Sequence, residues 1–225
     1  VSDPATRDIE YARLLDPGYL SQRAKLITMD RAQNPTFGKP GPSETVYLTA
    51  ADENGMMVSF IQSNFMGFGS GVVVPDTGIS LQNRGAGFTL EEGHPNQVGS
   101  SKRPYHTIIP AFTTRDGQPV MSYGVMGGAM QPQGHAQMMI RLFDYHQNPQ
   151  AACDAPRWQV FDGEHVGIEQ GIAPSVIDTL KKRGHKIQIA DFMAPPYGGG
   201  QLIYRLENGY CAASEPRKDG QAVGF

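Results

Sequence analysis

Cysteine is nearly absent: Cys153 and Cys211 are the only two in 225 residues, and they form no C-x-x-C pair. That excludes a disulfide framework and a thiolate zinc site, and it tilts the expected compartment toward the cytoplasm with the periplasm or exterior left open. An excess of positive charge is missing too. Nineteen basic residues stand against 22 acidic ones, the formal net charge is -3, and the longest basic run is Lys181-Lys182-Arg183. Nucleic acid is therefore not an expected partner. No stretch approaches the ~18 apolar residues of a bilayer span, so no membrane role is expected either. Val1-Ser2-Asp3-Pro4-Ala5 has no basic-then-apolar leader pattern, and a start at valine leads us to expect more chain upstream. The six histidines lack H-x-x-x-H and H-E-x-x-H spacing, and we expect no metal or other cofactor. A G-x-S-x-G elbow is also absent, which argues against an α/β-hydrolase.

What the chain has in quantity is glycine and proline, 27 and 17 of 225, above the typical ~7% and ~5% and pointing to many tight turns. With 39% hydrophobic residues, the core suffices for one large domain or two small ones. Residues 1–33 predict two helices, broken at Asp16-Pro17-Gly18. Residues 34–44, with three prolines and two glycines, predict a linker. Strand-like runs follow at 45–52, 57–63, 107–114 and 120–125, with Glu53-Asn54-Gly55 and Asp116-Gly117 as hairpin turns. Helical patterns occupy 132–147 and 175–183, and strands return at 166–169, 186–189, 202–204 and 210–213. Strands, then helices, then strands predict an α+β fold with largely antiparallel pairing.

Gly67-Phe68-Gly69-Ser70-Gly71 lacks the Lys-Ser/Thr pair and following helix of a phosphate loop. Gly124-Val125-Met126-Gly127-Gly128 lies between a strand and a helix, where adjacent N–H groups can converge on an oxyanion or simply make a turn. Thr45 opens a strand directly after the linker. By itself, that is ordinary β-propensity.

Several motifs in register carry a more specific reading: Pro42-Ser43-Glu44-Thr45 through Asp52-Glu53-Asn54-Gly55, then Gly67 to Gly71, Leu81 to Phe88, Lys102-Arg103-Pro104, Gly127-Gly128, Asp154-Ala155-Pro156-Arg157 and Ser214-Glu215-Pro216-Arg217. In order and spacing the chain resembles the gamma-glutamyltranspeptidases over nearly its whole length. The resemblance implies a four-layer αββα sandwich of the N-terminal-nucleophile hydrolase type. It also implies a precursor that cuts itself before Thr45, leaving residues 1–44 as the end of a large subunit plus linker and 45–225 as the catalytic small subunit. The expected partners are a small-molecule amide and the upstream large-subunit segment.

Residue by residue, the family's nucleophile falls on Thr45, its second hydroxyl on Ser63, and its oxyanion glycines on Gly127 and Gly128. Asn64 is carried as substrate-binding, although the family's next asparagine falls on Phe65. The two serines that hold the substrate carboxylate become His106 and Thr107, which still donate hydrogen bonds. The sharpest departure is Gln82-Asn83-Arg84-Gly85-Ala86-Gly87-Phe88, where Gly87 replaces the aspartate that binds a glutamyl ammonium and Arg84 replaces a glutamine. That pocket resembles those of glutaryl-type cephalosporin acylases. Two other readings stand beside an amidohydrolase: glutathione-directed transpeptidation, and a non-catalytic scaffold in which Thr45 stays internal.

Overall fold

The structure is a computed structural model that describes residues 11–33, 44–191, 193 and 195–225. The start of the first expected helix and nearly all of the linker, 34–43, lie outside the described residues. Helices α1 (Tyr11–Leu14) and α2 (Pro17–Ala24) meet at the expected break. Asp16 caps α2 by accepting the Tyr19 N–H at 2.7 Å, and Pro17 fills the first turn, where its missing N–H costs nothing.

Strands β1 (Glu44–Ala51) and β2 (Met57–Phe65) form a hairpin, followed by β3 (Ala111–Arg115) and β4 (Gln118–Met126). Next come α3 (Gln131–Met139), α4 (Pro149–Asp154), β5 (Trp158–Asp162), β6 (His165–Glu169), α5 (Pro174–Lys182), β7 (Lys186–Ala190), β8 (Gly199–Leu206) and β9 (Gly209–Ala213). The hairpin turns fall where expected. Asp52 accepts the N–H groups of Asn54 and Met56 at 3.0 and 2.9 Å around Gly55, and Asp116 and Gly117 both take positive φ, as a two-residue primed turn requires. The strands make three sheets: the β1-β2 hairpin, an antiparallel sheet in the order β3-β4-β8-β9, and β5-β6-β7.

Four details differ from the sequence expectation. Pairing in β3 begins at Ala111 rather than Thr107, after Pro110, which has no N–H to give a ladder. Neither α4 nor β5 is anticipated, although Asn148 caps α4 with a 2.8 Å bond from the Ala151 N–H. Past Met139 the helix tightens no further but widens into one π turn over Ile140–Asp144. Finally, β6 and β7 pair in parallel across α5, against the largely antiparallel rule.

Alternation along β4 builds the sandwich. Met121, Tyr123 and Val125, with Leu202 of β8, pack in one core with Met138 of α3, Leu142 and the α4 residues Ala152 and Cys153. Ser122 and Gly124 point the other way, onto the hairpin. The result is an α+β sandwich with two facing β layers and a helical layer. On the hairpin's far face Val46, Leu48, Val58 and Phe60 are exposed.

The Asp-Ala-Pro-Arg and Ser-Glu-Pro-Arg motifs meet in a buried, charge-balanced cluster. Arg217 forks onto Glu169 at 2.5 and 2.8 Å and reaches Glu215 at 2.6 Å, while Arg157 reaches Glu215 at 2.6 Å. Glu215 also accepts the Gly200 N–H at 2.6 Å and Glu169 the Arg157 N–H at 2.7 Å, tying β6, β8 and the C-terminal segment together. Removing one partner strands a buried charge, a loss of about 3–5 kcal/mol. Arg217→Met should therefore lower Tm by roughly 10 °C in a thermal melt. A shift of under about 2 °C would show that the cluster contributes little.

Candidate active site

Contact between the hairpin and β4 has a definite register. A Cβ on Gly124 would lie 2.4 Å from the Tyr47 ring, so the ring fits only over a glycine. The Tyr47 hydroxyl bonds Ser59 at 2.7 Å, Ser59 donates to the Ala111 carbonyl at 2.8 Å, and burial pushes the phenol up to about 12, so it stays neutral. One pleat along, the Thr49 and Ser122 hydroxyls bond each other, and Thr49 donates to the Val58 carbonyl at 2.8 Å. Thr49 thus lies over Ser122 and Tyr47 over Gly124. Thr45 lies two residues before Tyr47 on β1, and Met126, two residues after Gly124, ends β4 just before the Gly127-Gly128 turn.

Thr45 is buried at its hydroxyl, and that oxygen has no hydrogen-bond partner. The ladder slips here: Glu44 pairs Phe65 and Val46 pairs Gln62, so Thr45 alone opposes Ser63 and Asn64. Ser63 Oγ accepts the Phe65 N–H at 2.9 Å. Phe65 itself has φ +79°, a strained setting for a bulky side chain.

The turn after β4 admits only glycine. Gly127 has φ +122° and Gly128 φ +58°, and a Cβ on Gly127 would lie 2.9 Å from Gly198 Cα. Beyond it, His135 is buried, accepting the Val125 N–H on Nε2 at 3.3 Å and donating from Nδ1 to the Gln131 carbonyl at 2.6 Å. That pattern requires the neutral ring, and burial holds its pKa below 6.5.

Arg84 lies in a short 3₁₀ turn, Arg84–Gly87, and is 1% exposed. Asn83 fastens this turn to the loop after β2, accepting the Met66 N–H at 3.0 Å and donating to the Met66 and Gly69 carbonyls at 3.2 and 3.1 Å. The Arg84 guanidinium sits over the Phe65 ring at 5.0 Å and donates to Thr107 Oγ1 at 3.0 Å. Its Nη2 is buried without a partner, and among the described residues no carboxylate pairs with it. Burial lowers its pKa, and burial followed by the Arg84 charge lowers that of His106, which is neutral at pH 7. At Gly87 a Cβ would meet Tyr105 atoms only at 3.6 Å and beyond, so the position has room for a side chain.

The structure thus sets Thr45 opposite Ser63 and Asn64 at one end of the hairpin, while Gly127 and Gly128 directly follow β4, the strand on which the hairpin packs. Arg84 and Thr107 are linked to the same end through Phe65, and His106 adjoins Thr107. Phe65 is the residue that the sequence reading passed over as a mere departure. Its signal is that an aromatic replaces a polar residue in the same pocket where a new arginine appears. A groove of about 690 Å³ at the hairpin's opposite end, lined by Asp52–Gly55, Arg205–Glu207 and Ala222–Phe225, contains none of these groups.

A buried hydroxyl, a glycine turn and a cation with no carboxylate partner among the described residues are features that acyl-transfer chemistry can use. The gamma-glutamyltranspeptidase profile matches residues 1–225, and the chain belongs to that family. It is 38% identical to a Bacillus subtilis glutathione hydrolase-like YwrD proenzyme and 36% identical to a Klebsiella pneumoniae oxamate amidohydrolase proenzyme, covering 100% of this chain and 44% of each relative. Among solved structures, the cephalosporin acylase from Bacillus halodurans superposes with a TM-score of 0.91 at 47% identity, over 100% of this chain and 41% of that one. The chain spans less than half the length of these relatives.

A backbone donor is displaced only by bulk. Gly128→Val forces a β-branched residue to φ +58°, and losing one oxyanion donor costs about 10²–10³ in kcat. We expect kcat of the full-length enzyme to fall by that factor with KM changed only a few-fold. Wild-type turnover in the purified variant would remove the turn from the reaction.

Proposed function

We propose that the chain is the catalytic part of a self-processing amidohydrolase whose acyl substrate bears a carboxylate and no α-ammonium. The observation that carries this reading is Arg84, a buried guanidinium that no carboxylate of the described residues neutralises. Two other buried guanidinium groups among the described residues, Arg157 and Arg217, are each matched to glutamates. Burying an unpaired charge costs several kcal/mol, so the natural counter-ion of Arg84 is a ligand. A dicarboxylate half-amide supplies one.

Thr45 supplies the nucleophile. Its hydroxyl first attacks the Glu44 carbonyl, the acyl group moves from nitrogen to oxygen, and water hydrolyses the ester to free the α-amine. That amine, with a pKa near ~8, then takes the hydroxyl proton for attack on the substrate amide. The N–H groups of Gly127 and Gly128 face the tetrahedral oxyanion, with Ser63 and Asn64 beside it. The amine leaves with the proton, and water releases the acid from the Thr45 ester. Arg84, Thr107 and His106 hold the distal carboxylate. Oxamate, for which the Klebsiella relative is named, has this character: a carboxylate and no ammonium.

The upstream segment that relatives carry is the structural partner. We place it on the exposed apolar face of the hairpin, Val46, Leu48, Val58 and Phe60, where it adds the outer helical layer of an αββα sandwich.

Glutaryl and γ-glutamyl groups differ only by the α-ammonium, which here meets Arg84 and finds glycine at position 87. We expect kcat/KM for glutaryl p-nitroanilide to exceed that for γ-glutamyl p-nitroanilide by about tenfold or more. Arg84→Gln with Gly87→Asp should move the ratio back toward γ-glutamyl. A γ-glutamyl preference in the unmodified enzyme would refute the substrate assignment.

A further inference from the structure

We infer that Gln131 is a positioning residue that fixes the distance between the oxyanion turn and the carboxylate pocket. The inference rests on the acyl-site reading above. Gln131 is the first residue of α3, fully buried, and its contacts run in three directions. Its backbone N–H donates to the Gly128 carbonyl, closing the 3₁₀ turn that carries the glycine pair. Its backbone carbonyl accepts from His135, whose other nitrogen holds the Val125 N–H at the end of β4. Its side-chain Oε1 accepts the Ile109 N–H at 2.8 Å. Ile109 is two residues beyond Thr107, the hydroxyl that receives Arg84. The segment between them precedes β3 and lies outside its ladder, which begins only at Ala111.

One residue therefore joins the two halves of the site, its backbone on the turn and its side chain on the Ile109 segment. An aliphatic residue would fill the same space without tying Ile109, and buried amides are kept where they make bonds. Gln131 Nε2 remains buried without a partner, a cost the fold bears while using only the acceptor. Acyl transfer needs the scissile carbonyl at Gly127-Gly128 while the distal carboxylate rests at Arg84 and Thr107, and small displacements of such geometry are costly in rate. A residue that sets this spacing matters for acyl groups gripped at both ends and little for those gripped at one.

The test uses the full-length processed enzyme and Gln131→Met, similar in shape but without either polar atom. Two acyl anilides are compared: glutaryl, and valeryl, in which a methyl replaces the distal carboxylate. The expected result is a five- to tenfold fall, roughly one hydrogen bond, in the ratio of kcat/KM for glutaryl over valeryl. Amide hydrogen exchange should show lost protection at Ile109 with β4 unchanged. Gln131→Glu, which keeps an acceptor for the Ile109 N–H, should restore that protection and serves as a second variant should the first not fold. An equal fall for both anilides, or unchanged Ile109 protection in Gln131→Met, overturns the inference. A wild-type enzyme with no preference for glutaryl over valeryl would instead count against the carboxylate pocket, and Ile109 exchange alone would then decide whether Gln131 ties the segment.

Discussion

Everything at the site depends on one registration, that of the β1-β2 hairpin against β4. It is fixed by a ring on a glycine and by paired hydroxyls: Tyr47 over Gly124, and Thr49 against Ser122. Because side chains alternate along a strand, a slip of one residue would turn Thr45 from the sheet interface to the outer face. A side chain at position 124 would lift the hairpin away from the turn that follows β4. Polar contacts between sheets are less forgiving than aliphatic ones, since a misplaced hydroxyl loses a bond as well as a contact. That lets the two facing sheets hold the Thr45 hydroxyl in one buried place.

A second feature is how differently the molecule treats its buried arginines. Arg157 and Arg217 are balanced by Glu169 and Glu215 and serve to join the last strands to the rest of the fold. Among the described residues, the Arg84 guanidinium meets the Thr107 hydroxyl, to which it donates, and the face of Phe65. The ring attracts the cation without neutralising it, so its positive potential remains. Phe65 seats the Arg84 guanidinium, and Gly87, in the same 3₁₀ turn, adds no charge beside it.

Most of the elements were legible in the sequence because turns, caps and strand runs announce themselves locally, whereas the candidate site positions stood out only through the resemblance to the family. Thr45 is located by its spacing to the Asp52–Gly55 turn, the glycine pair by its place between strand and helix, and Arg84 by its departure from the family pattern. What was not legible depends on contacts distant in sequence. Phe65 and Arg84 meet only because Asn83 folds its turn back onto the loop after β2, and the Gln131 contact to Ile109 crosses from a helix to an unpaired segment. Strand β5 was missed because it directly follows a proline-containing motif, and the parallel β6-β7 pair because its crossover helix is short.

The central claim is that Thr45 is an N-terminal nucleophile released by the protein's own cleavage, and the composition of the mature chain tests it most directly. The full-length protein is expressed with and without Thr45→Ala, and each product is analysed by intact mass and N-terminal sequencing. Two fragments from the wild type, the smaller beginning at Thr45, and a single uncut chain from the variant are the result expected. One uncut chain from both, or the same cut in both, would contradict it.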